Sequence, residues 1–174
     1  VYMKLEILEY LCKANNVLWN IPHRIYVNKE IHSKYEQVTL DQDFVDRYFD
    51  KLYENPRDFS ILITSKLLFL ALIKVKGTNF SILIGPERSV KLSEKEIRSI
   101  ISENKLDMTN IAHFIKYFNS VELMPFENFS RYCTNLNFVI NEETTDLESF
   151  YREIVMYDFY MDNYKNVINY MDVE

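Results

Sequence analysis

Three apolar runs follow one another in the middle of the chain: Ser60-Ile-Leu-Ile-Thr64, Leu67-Leu-Phe-Leu-Ala-Leu-Ile-Lys-Val-Lys76 and Asn79-Phe-Ser-Ile-Leu-Ile-Gly-Pro86. Short runs of Ile, Leu and Phe bounded by polar residues predict the strands of a β-meander. Both glycines fall inside it. Gly77 sits where a turn must join two strands, and Gly85 precedes Pro86 where the third strand is expected to stop.

Helical spacing surrounds the meander. Ile7, Leu8, Leu11 and Cys12 give one buried face to a first helix over 4–16. Asp41 can cap a second helix, whose stripe Phe44, Val45, Tyr48, Phe49 and Leu52 ends before Asn55-Pro56. After the meander, Ser93-Glu-Lys-Glu96 has the form of a capping box and turns Ile97, Ile100 and Ile101 inward. Asp107 opens a helix through Ile111, Phe114, Ile115 and Phe118. Met124-Pro125-Phe126 opens another, with Phe126, Phe129, Cys133, Leu136 and Ile140 on one side. Ahead of the meander, Trp19 to Val27 alternates around Pro22 and reads as an edge strand, because proline cannot donate to a ladder. Residues 28–39 read as a polar connection.

The expected fold class is therefore α/β (α+β), an antiparallel sheet flanked by helices and followed by C-terminal helices. Residues 4–141 form one domain. Residues 142–174 differ in composition, being acidic and rich in aromatics. Their helical spacing, through Leu147, Phe150, Tyr151 and Ile154 and later Tyr164, Val167, Ile168 and Met171, predicts an amphipathic connector or dimerisation segment.

At 174 residues, 48% hydrophobic and 26% charged, the chain has the composition of a globular domain that buries roughly 70% of its unfolded surface. A formal charge of −6 and a pI near 5.2 argue against a surface built to neutralise phosphates. The two helices over 97–118 have the spacing of a helix-turn-helix pair. The second offers only Lys116 to hold phosphates, so packing on the sheet explains the pair better. The run Leu67–Ile73 is far short of the roughly 20 residues that cross a bilayer. Glu6 and Glu9 interrupt any signal-peptide core, so a cytoplasmic location without membrane contact is expected. Cys12 and Cys133 lie in apolar helical patterns, which predicts buried thiols.

No reaction is indicated. Two glycines leave no Walker or G-x-G-x-x-G loop, His23, His32 and His113 are scattered, and no G-x-S-x-G elbow occurs. Neither catalysis, metal nor cofactor is expected. Trp19, Tyr26, Phe69 and Phe80 are candidates to line a ligand cavity behind the sheet, in competition with a plain role as core.

The order of elements, together with Leu83-Ile84-Gly85-Pro86-Glu87, the Ser93-Glu-Lys-Glu-Ile97 helix start and the Met124-Pro125 turn before Phe126-Glu-Asn-Phe129, resembles the N-terminal sensor region of AraC-type transcriptional regulators of low-GC Gram-positive bacteria. The likeness covers about 4–141, with Met124 where the family has leucine. It implies a PAS/GAF-like sheet, reception of a small-molecule effector, homodimerisation, and DNA binding by a separate C-terminal helix-turn-helix domain rather than by this chain. It transfers no catalytic residue. The alternative is a non-enzymatic protein-interaction module with no small-molecule pocket.

Overall fold

The computed structural model describes residues 3–157. Its centre is a sheet in the order β2-β1-β5-β4-β3-β6. The five strands β1 (His23–Val27), β2 (Glu30–Tyr35), β3 (Phe59–Thr64), β4 (Leu68–Lys74) and β5 (Phe80–Arg88) are antiparallel, and β6 (Val155–Tyr157) pairs parallel to β3 at the edge. The α+β class expected from the sequence is the one observed.

Helices cover both faces of the sheet. The side chains of Ile61, Ile63, Phe69, Ala71, Ile73, Ile82 and Ile84 point to one face, under α1 (Leu5–Trp19) and α5 (Phe126–Asn141). Those of Leu62, Leu68, Leu70, Leu72 and Leu83 point to the other, under α2 (Gln42–Tyr53), α3 (Glu94–Glu103) and α4 (Ile111–Ser120). Burial on both sides explains why the meander reads as continuous apolar runs rather than as alternation. The predicted inward positions of α2, α3 and α5 are all buried, as are both cysteines. Asp41 accepts from the Phe44 amide at 2.9 Å, and Ser93 and Glu96 form the reciprocal capping box. Asp41→Ala is expected to cost about 1 kcal/mol in a urea unfolding curve.

Three local expectations are corrected. Residues 19–27 are not an edge strand. The helix runs on to Trp19 and ends at Asn20, which takes up the left-handed conformation that asparagine tolerates. Pro22 stands outside β1, and β1 itself lies between β2 and β5. The connection 28–39 contains β2, joined to β1 by a two-residue turn in which Asn28 and Lys29 both have positive φ. The third meander strand does not stop at Gly85. It passes through Gly85-Pro86 to Arg88, with a register shift opposite Phe69/Ala71 that accommodates one extra residue.

The tail is described as far as residue 157. Within the described residues 142–157 the helical spacing is carried by the short α6 (Leu147–Tyr151), and Val155–Tyr157 forms the strand β6. Phe150 stacks on Phe59 of β3 at 4.8 Å, an Arg57–Glu153 ion pair joins the segment to the chain entering β3, and Lys76–Glu143 (2.7 Å) joins it to the turn after β4. The expected positions Tyr164, Val167, Ile168 and Met171 lie outside the described residues.

Candidate functional site

The four aromatic candidates are placed apart. Tyr26 lies under α2, its ring 3.8 Å from that of Phe49 and its hydroxyl donating to Asp46 Oδ1 at 2.9 Å. Phe69 is fully buried on the opposite face, against Phe126 and Phe129. Phe80 packs at the margin of that same core, and Trp19 is exposed at the end of α1. Sheet alternation sends Tyr26 and Phe69 to opposite sides, so no single cavity behind the sheet can be lined by all four.

Polar side chains within the fold form two groups. On the α2 side, fully buried Arg24 donates to Gln42 Oε1 (2.9 Å), Glu36 Oε1 (3.1 Å) and the Leu40 carbonyl (3.1 Å). Burial raises the pKa of Glu36, and the Arg24 guanidinium partly offsets it. A cleft of about 270 Å³ opens beside this network between residues 39–42 and α4, with Lys34 and His113 at its wall. The network is largely satisfied within itself and ties the chain before α2 to β1.

On the α1–α5 side, His23 contacts the Ile21 carbonyl (2.7 Å) through Nδ1 and the Tyr132 hydroxyl (2.6 Å) through Nε2, and burial lowers its pKa to about 4. Cys12 and Cys133 sit in the same core, and burial pushes the Cys12 thiol up to about 12 and that of Cys133 well above its usual value. Thiols held neutral in this way are poor nucleophiles. Neither cysteine is expected to react with iodoacetamide in the native chain, while both react in denaturant, as a mass spectrum will count.

Glu87, almost fully buried in β5 directly opposite Phe69, is the least compensated group. Its carboxylate oxygens make no hydrogen bond of normal geometry to a described residue, and burial raises its pKa to about 8, with Arg88 only partly opposing. Neither the spacing nor the composition pointed to it, since Glu87-Arg88 after Gly85-Pro86 looks like the start of a loop.

The outer surface carries a further feature. α1 buries Leu8 and Cys12 but also presents Tyr10, Val17 and Leu18 to solvent, each about 70% or more exposed, with Ile7 about half exposed. Val139 of α5 is similarly exposed and meets Ile7 and Met3 at a cleft of about 320 Å³. A third cleft, of about 330 Å³, between Arg57, Lys76, Glu143 and Phe150, lies where the tail crosses the sheet edge.

Among the described residues no cluster of three or more His, Cys, Asp or Glu side chains could hold a metal ion, and no helix is long and apolar enough to cross a membrane. No protein-family model, curated protein or solved structure matched the chain. What the fold offers for function is therefore a sheet packed on both faces, a buried carboxyl whose oxygens make no hydrogen bond of normal geometry among the described residues, and an apolar helix face turned outward.

Proposed function

We propose that the chain is a non-catalytic regulatory domain that works by protein association through its outer helical surface. This is the dimerisation role that the resemblance implies for the sensor region of a transcriptional regulator, with DNA contacts made by another part of that regulator. The observation that carries it is the outward apolar face of α1. A helix needs one apolar stripe to pack on its own sheet, and α1 has a second. The formal charge of −6 is consistent with a partner other than nucleic acid.

Effector reception is the second reading, and the buried Glu87 carboxyl favours it, because oxygens that make no hydrogen bond of normal geometry to a described residue are a place where a ligand gains one. Native mass spectrometry separates the two. Association predicts species heavier than the 21.0 kDa chain with no retained small molecule. A bare or ligand-bearing monomer at every concentration overturns the association reading, and an added small mass establishes the effector.

A further inference from the structure

Resting on the association reading, we infer that the partner is a second copy of this chain, docked by antiparallel contact of α1 with α1 about a two-fold axis near residues 9 and 10. Ile7, Tyr10, Val17, Leu18 and Val139 are all exposed among the described residues. Scaled by their exposure, these side chains present on the order of 600 Å² of mostly apolar surface. An ordinary interface covers about 800 Å² per partner and is about 60% apolar, so the patch supplies the apolar area that one stable dimer requires.

The charges on the same face select the direction. Glu6 and Lys13 are exposed, lie seven residues apart and so share one flank of the helix, and neither has an ion-pair partner among the described residues. Parallel association would leave the two Glu6 side chains at one height and the two Lys13 side chains at another, with no Glu6–Lys13 pair across the interface. Antiparallel association brings Glu6 of each copy to Lys13 of the other, twice over, as a two-fold interface demands. It also carries Val17 and Leu18 toward the partner's cleft, where Met3, Ile7 and Val139 line the wall together with Lys76, Asn141 and Glu142. The patch is self-complementary in charge.

Sedimentation velocity of the full chain across a concentration series tests this. The wild type is expected at twice the 21.0 kDa chain mass. Glu6→Lys and Lys13→Glu are each expected to weaken the dimer by about tenfold, because two attractions become two repulsions. The double variant Glu6→Lys/Lys13→Glu restores it, which a folding defect would not do. Val17→Glu, at a position that makes no contact with the core, abolishes the dimer while circular dichroism stays unchanged. A dimer indifferent to all four changes overturns this inference and leaves the association reading standing. A monomer, whether its patch is open or covered by residues 158–174, overturns both.

Discussion

Gly85→Val is expected to remove most of the folded population, and Gly85→Ala to do nearly as much damage. Gly85 has a φ of +104°, a region that residues with a Cβ rarely enter. A Cβ built there would lie 2.5 Å from the Phe69 carbonyl oxygen and 3.0 Å from the Glu87 amide nitrogen. Both obstacles are backbone, so no side chain can swing away. The left-handed φ costs about 1–2 kcal/mol and the enforced displacement of β4 from β5 adds about 2–3 kcal/mol. Together these approach the total stability of an ordinary domain, about 5–15 kcal/mol.

The position matters because the register shift at Gly85 lets β5 continue to Arg88. Without it Glu87 would not lie opposite Phe69, nor would the Pro86 carbonyl accept from Tyr117 Oη at 3.0 Å. Gly77→Ala serves as the control. Its φ of 74° also favours glycine, but it occupies the turn between β4 and β5, and a loss of about 1–2 kcal/mol is expected. Urea unfolding of the three variants, read by circular dichroism, gives the ranking. Equal losses at Gly77 and Gly85 would show that close backbone approach is not what fixes Gly85.

How far the fold could be read in advance depended on whether side-chain pattern or backbone conformation decided each element. Where a helix packs by one stripe, as at Phe126, Phe129, Cys133, Leu136 and Ile140, period and burial are the same information, and the sequence displays it. β2 was hidden because its turn uses Asn28-Lys29 in place of an Asn-Gly pair, and because Glu30, His32 and Lys34 place polar groups along an edge strand that packs few apolar side chains. Trp19 was misplaced because a left-handed asparagine cap is a weak signal beside the alternation that follows it.

The candidate site was less legible for a physical reason. Tyr26 and Phe69 have the periodicity of core and of pocket alike, and only their separation to opposite faces distinguishes the two. The outward face of α1 was present in the sequence as Tyr10, Val17 and Leu18, apolar residues in excess of what one buried stripe needs. Glu87 was not, because its burial follows from the passage of β5 through Gly85-Pro86, which a local pattern of Gly, Pro and charge argues against.

That burial makes the chain's stability fall as pH rises through neutrality. Glu87 has an ordinary carboxyl value of 4.5 when unfolded and about 8 when folded, raised chiefly by loss of water. The folded state therefore holds a proton that the unfolded state releases. The contribution is fully present below 4.5, declines as pH rises, and is gone above about 8, a total on the order of 5 kcal/mol.

The charged and titratable groups around Glu87 do not reverse the sign. Arg88 lowers its pKa and Glu122 raises it, while the Cys133 thiol and the Tyr117 hydroxyl stay neutral in this range. His23 acts in the opposite sense but in a different window. Its folded value near 4 lies below the ordinary 6.5, so its contribution is present above 6.5 and is lost as pH falls. Above pH 6.5 the His23 contribution is in place, and the Glu87 carboxyl brings an expected loss of about 2 kcal/mol by pH 8.

Glu87→Gln keeps the shape and cannot titrate. Its unfolding free energy is expected to stay flat over that interval, to match the wild type within about 1 kcal/mol near pH 5, and to exceed it by several kcal/mol above pH 8. Urea midpoints at half-unit pH steps for the two proteins decide it. Parallel curves would mean that the Glu87 carboxyl reaches solvent or a cation when folded, and the slope would then belong to groups elsewhere.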